Sequence, residues 1–105
     1  MNLATAQGIL GAETTPKGEC DFTAQGGRRL RIQFGSDFGA FAKQCAGRAT
    51  ALKGIGNEAV ACTAEHGREE RLIGRVREKA FLITLIPADL AKIQLAAEIV
   101  AGNLY

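Results

Sequence analysis

The chain has 105 residues, 47% of them hydrophobic, and its 13 Lys and Arg against 11 Asp and Glu leave a formal net charge of +2. That length suits one globular domain with its own core, so residues 1–105 are read as a single unit. Three classes are excluded: no apolar run approaches the ~18 residues of a membrane-spanning helix, Pro and Ser are too scarce for a disordered linker, and so small a basic excess does not point to nucleic acid.

In chain order, Asn2 is placed to cap a short helix with Leu3, Ala6 and Leu10 on one face and Gly11 as its stop. Residues 12–18 read as a loop. Cys20, Phe22 and Ala24 alternate with polar neighbours, as do Leu30, Ile32 and Phe34, which predicts two strands half buried on one face. Matching apolar with apolar calls for a three-residue loop, Gly26 to Arg28, that sets Ala24 opposite Leu30 and Phe22 opposite Ile32. Ser36 then caps a helix whose Phe38, Phe41, Ala42, Cys45 and Ala49 form a buried stripe ending near Arg48.

Residues 54–59, Gly-Ile-Gly-Asn-Glu-Ala, match the pattern that opens dinucleotide-binding sites. That chemistry needs a strand before the glycines and a helix after them. Here a helix precedes, and Val60, Cys62 and Ala64 follow with the alternation of a strand, so the glycines are read as a sharp turn or as positive-φ positions. Residues 71–86 form a hairpin in which a two-residue loop at Glu78-Lys79 pairs Val76 with Phe81, Gly74 with Ile83 and Leu72 with Leu85. Pro87, Ala88 and Asp89 begin a last helix with Leu90, Ile93, Ala97, Val100 and Leu104 in its stripe. The order α-β-β-α-β-β-β-α predicts an α+β domain with a mainly antiparallel sheet of about five strands packed against helices.

These landmarks resemble a group of small bacterial cell-envelope domains of unknown function, found as lipoproteins and as extracellular parts of sensor proteins. The resemblance rests on a short helix ending in Ile9-Leu10-Gly11, on Cys20 opening the first strand, on Gly54 to Ala59, on a basic strand followed by Ala-Phe-Leu-Ile-Thr-Leu, and on a final Ala-rich helix. It implies a noncatalytic binding or sensor-like domain, with no catalytic residue and no cofactor to carry over. The amino terminus lacks a basic segment followed by an apolar run of roughly 7 to 15 residues. The expected location is therefore periplasmic or extracytoplasmic if a signal was removed, and cytoplasmic otherwise.

A search for chemistry adds little. His66 is the single histidine, in a polar turn, and Cys20, Cys45, Cys62 and His66 lack the paired spacings of a zinc site, so no metal is expected. Glu65, Glu69 and Glu70 crowd the same turn, where open solvent would leave their acidities ordinary. If Leu72, Gly74 and Val76 face the core, Arg71, Ile73, Arg75 and Arg77 lie on the other side of the sheet, beside Leu82, Thr84, Ile86, Arg29 and Arg31. This mixture of arginine and aliphatic side chains has the makings of a protein-binding or self-association surface, possible homodimer included, unless the chain itself covers it and the arginines pair with Asp21 and Glu58. The alternative is a small ligand carrier or hydrolase with a pocket between sheet and final helix, among Phe22, Phe38, Phe41 and Phe81.

The cysteines number three, so at least one is free within a single chain. A continuous second helix would carry Cys45 ~13 Å beyond its start, at ~1.5 Å per residue. Cys20 would lie at the opposite end, too far to bond Cys45. A third strand antiparallel to the first would set Cys62 level with Cys20, which makes Cys20–Cys62 the candidate disulfide and Cys45 a buried free thiol.

Overall fold

The structure, a computed structural model, describes residues 1–18, 20–45, 49–64 and 67–104. Its elements are α1 (Leu3–Leu10), β1 (Thr14–Gly18), β2 (Asp21–Ala24), β3 (Arg28–Gly35), α2 (Phe38–Ala42), β4 (Thr50–Leu52), β5 (Glu58–Ala64), β6 (Glu69–Val76), β7 (Lys79–Ile86) and α3 (Leu90–Leu104). The α+β architecture and antiparallel sheet agree with expectation. The strand number does not: seven strands, not about five, lie in the order β1-β2-β3-β7-β6-β5-β4.

The two unexpected strands are the sheet's edges. β1 is Thr-Thr-Pro-Lys-Gly with only its first residue buried, and the three-residue β4 has none. An edge strand needs no buried alternating face, and Pro and Lys there discourage pairing with a foreign strand. Neither segment carries the period of two that reveals a half-buried strand.

Both hairpins close one step away from the predicted register. The β2–β3 loop is Gln25–Gly27, with Gly26 and Gly27 at φ of 78° and 74°, and it sets Phe22 opposite Leu30 and Ala24 opposite Arg28. The β6–β7 turn is Arg77-Glu78 and sets Gly74 opposite Phe81, Leu72 opposite Ile83 and Val76 opposite Lys79. Each correction slides the pairing by two positions. Because side chains alternate with period two, such a slide leaves every residue that stays in its strand on its predicted face.

One face of the sheet, here the inner face, is covered by α1 and α3. Phe22, Leu30, Ile32, Ala59, Ala61, Leu72, Val76, Phe81, Ile83 and Leu85 meet Ala6, Ile9, Leu10, Ile93, Ala96, Ala97 and Val100 there. The α1 caps are as expected: Asn2 Oδ1 accepts from the Thr5 N–H at 2.8 Å, and Gly11 sits at φ 71°. Leu3, assigned to the buried stripe of α1, is instead 43% exposed. Leu90 and Phe34 also lie outside the core. α3 begins only after Asp89, whose carboxylate accepts from the Lys92 N–H, and Ala96 and Ala101 fill its stripe where Leu90 was expected.

The predicted long second helix is broken. Asp37, not Ser36, caps it, with Oδ1 accepting from the Ala40 N–H at 3.0 Å. After Ala42 the chain tightens into a 3-10 turn at Lys43–Cys45, and Ala49 is exposed. The stretch 46–48, which includes the predicted end at Arg48, lies outside the described residues. Gly54 and Gly56 both have positive φ, at 81° and 57°, and a strand follows them, as expected. A Cβ at Gly56 would overlap the Arg75 carbonyl, while Asn57 donates its N–H to that carbonyl and accepts from the Arg77 N–H. The dinucleotide-like motif is thus a clasp on the β6–β7 turn.

Candidate functional site

On the outer face the register lines side chains up in rows across the strands. One row runs Glu58, Arg75, Ala80; the next Val60, Ile73, Leu82, Gln33; the next Cys62, Arg71, Thr84, Arg31, Asp21; and the last Ile86, Arg29, Thr23. The connection from β3 to β4 leaves the middle of the sheet and returns at its far edge, so α2 crosses this face. Phe38 and Phe41 pack over the apolar row, leaving Ile73 and Leu82 0% and 1% exposed. The assignment of Ile73 and Leu82 to a binding surface is corrected: the chain itself covers them.

The cover is fastened by a disulfide, and not the one expected. Cys45 bonds Cys62 with their Cα atoms 5.6 Å apart, while Cys20 is the free thiol. The expected Cys20–Cys62 pairing fails because β3, β7 and β6 lie between β2 and β5. Cys45 reaches Cys62 because the 3-10 turn brings the chain down onto β5 where a continuous helix would have carried it past.

The arginines divide. Arg75 pairs with Glu58 at 2.7 Å, in line with the alternative in which the arginines find partners within the chain, and its guanidinium also donates to the Arg77 carbonyl. Arg77 is not on the sheet face at all: it occupies the turn at φ 57°, a correction to its placement. Arg71 pairs with Glu69 and donates to the Gln44 carbonyl, marking the border of the cover. Arg29 takes both oxygens of Asp21, Nε to Oδ1 at 3.0 Å and Nη2 to Oδ2 at 2.7 Å. That bidentate bond is the main cause that holds the Asp21 carboxyl below its ordinary range, with Arg31 and Lys17 adding to it.

Arg31 is left over. It stands directly across from Asp21 on β2 and Thr84 on β7, exposed, and forms no ion pair among the described residues. Ile86 and Thr84 beside it are half-buried. The open part of the predicted surface therefore contains Arg29, Arg31, Thr84 and Ile86, bordered by Arg71.

The glutamates correct another expectation. Glu69 pairs with Arg71, and Glu65 and His66 lie outside the described residues. Glu70 points to the inner face and is 6% exposed. Burial pushes its carboxyl above the ordinary range, offset in part by the Thr63 hydroxyl that donates to it at 3.0 Å, and the Asp89 charge raises it further. The one available signal in the sequence was its parity with Leu72 and Gly74.

The pocket expected among four phenylalanines does not form. Phe22 and Phe81 lie in the inner core, Phe38 and Phe41 on the outer face, and the sheet separates them. A cavity of about 360 Å³ does lie elsewhere between sheet and final helix, lined by Thr50, Ala61, Cys62, Thr63, Glu70 and Leu90. Among the described residues no three His, Cys, Asp or Glu side chains are gathered to hold a metal ion. No helix of the described residues is long and apolar enough to cross a membrane. Comparison with protein-family models, with curated proteins and with solved structures finds no match to this chain.

Proposed function

We propose that the chain is a noncatalytic, extracytoplasmic cell-envelope domain that binds a partner protein through the open half of its outer sheet face, where Arg31 receives an acidic side chain. The observation that carries this reading is Arg31 itself. Asp21 is already occupied by Arg29, and Glu69 by Arg71, so a carboxylate from outside would complete the row without displacing an existing pair. Thr84 and Ile86 supply a hydroxyl and an apolar contact beside it. Self-association is the weaker form of the idea, since Ile73 and Leu82 are covered and Ile86 alone makes a poor apolar centre for a homodimer. The Cys45–Cys62 bond supports an oxidising compartment.

A titration of ¹⁵N-labelled protein with a peptide of six glutamates, and with six lysines as control, tests the surface. Amide shifts are expected at Arg29, Arg31, Thr84 and Ile86 with the acidic peptide only, weakening with salt and lost in Arg31→Glu. Shifts scattered over other basic residues, or unchanged in the variant, sink the proposal. Sedimentation is expected to show a monomer; a dimer abolished by Arg31→Glu would put a second copy on this face instead. Alkylation of unreduced protein should mark Cys20 alone, and three marked cysteines would overturn the compartment.

A further inference from the structure

The cavity at the start of α3 has a composition that selects a ligand independently of the sheet face. Glu70 contributes to its floor, 6% exposed, with Oε2 receiving the Thr63 hydroxyl. With that proton committed to Glu70, the Thr63 oxygen keeps lone pairs to offer, as does the second Glu70 oxygen, and Thr50 lines the same space. Among the described residues, no Lys or Arg forms an ion pair with Glu70 and no basic side chain lines the cavity. The lining also carries aliphatic groups: Ala61, buried beside Thr63 and Glu70 on the sheet, and Leu90 at the start of α3, 43% exposed.

We propose that this cavity is a binding site for the primary ammonium group of a small aliphatic ligand, with the Glu70 carboxylate as its anchor and Leu90 against its hydrocarbon. An ammonium carries three donors and no acceptor, the complement of an acceptor-rich, donor-poor pocket. A buried carboxylate is costly while it lacks a counter-charge, so a cation is stabilised by the charge that burial penalises. Asp89, at the start of α3, has the same sign and raises the carboxyl of Glu70 through space, so it also favours an incoming cation. A volume of about 360 Å³ falls in the range of small-molecule sites, roughly 300–1,000 Å³. The absence of three gathered ligating side chains among the described residues makes an organic cation a better fit than a metal ion.

The test is an amide-shift titration of the full chain with n-butylammonium, and with n-butanol as the uncharged probe of the same shape. Saturable shifts are expected at Thr63, Glu70 and Leu90 with the amine and not the alcohol. Affinity should fall at least ~10-fold in Glu70→Gln, which corresponds to ~1.4 kcal/mol. Thr63→Val, which leaves the carboxylate in place, should weaken binding several-fold, and each variant is checked for a dispersed amide spectrum. Equal shifts with butanol, undiminished binding in Glu70→Gln, or no saturable response in the parent protein overturns the proposal. The Arg31 surface is unaffected by any of these outcomes.

Discussion

At the scale of single residues, the sheet depends on two glycines for steric reasons that differ. Gly56 is held at positive φ against the Arg75 carbonyl, whereas Gly74 lies beneath the Phe81 ring, which occupies the space a side chain there would need. Gly74→Ala is therefore expected to cost about 1–3 kcal/mol through overpacking. Gly102, in α3 with open space around it, provides the contrast: Gly102→Ala should stabilise by up to about 0.5–1 kcal/mol. Urea unfolding of the two variants measures both signs, and a neutral Gly74→Ala would show that Phe81 is free to move aside.

The two shifted carboxyls give opposite pH dependences at the same scale. Glu70 has a folded pKa above its unfolded one, so its contribution is fully present below the unfolded value and is lost as pH rises through the folded value. Glu70→Gln should accordingly be more stable than the parent at pH 7, with the advantage shrinking on acidification. Asp21 has a lowered pKa, so its contribution is present above the unfolded value and is lost as pH falls through the folded one. Asp21→Asn should cost at most about 1 kcal/mol at pH 7, the scale of a partly exposed pair, and nothing once acid has protonated the parent. Stability against pH for both variants checks the signs.

At the scale of elements, α2 is the part with the least intrinsic support. It spans five residues with none fully buried, and a helix so short is unstable in isolation. The Cys45–Cys62 bond and the contacts of Phe38 and Phe41 on Ile73 and Leu82 keep it in place. Replacing both cysteines by serine should lower stability by about 2–4 kcal/mol, the usual range for a disulfide, whose 17-residue separation here puts it in the middle of that span. Hydrogen exchange in α2 should accelerate selectively, with β3 and β7 unchanged; uniform acceleration would mean that the cover is integral to the global fold.

At the scale of the whole molecule, two antiparallel meanders, β1-β2-β3 and β4-β5-β6-β7, join along β3 and β7. The joining strands carry the fully buried Leu30, Phe81, Ile83 and Leu85, while the outer strands carry little apolar burial. Amide protection should therefore peak along β3, β7 and β6 and fall toward β1 and β4. Native-state exchange reads this gradient directly, and protection of β4 equal to that of β7 would contradict it.

The sequence by itself determined the α+β class, the inner residues of the central strands and the Asn2 cap; it offered positive φ at Gly54 and Gly56 as one of two readings of those glycines, and arginine pairing with Asp21 and Glu58 as one of two readings of the outer face. All of these follow from local patterns: the period of two, capping chemistry, and charges on neighbouring positions of one face. Tertiary structure alone decided that β7 lies beside β3, that Cys45 and not Cys20 reaches Cys62, that Ile73 and Leu82 are covered, and that Glu70 is buried while Glu69 is not solvated but paired. Alternation says which side of a strand is apolar, but the partner that covers that side is chosen among distant segments. That choice depends on which strand edges are free to pair and on where a crossing connection must pass, neither of which is a property of any short stretch of chain.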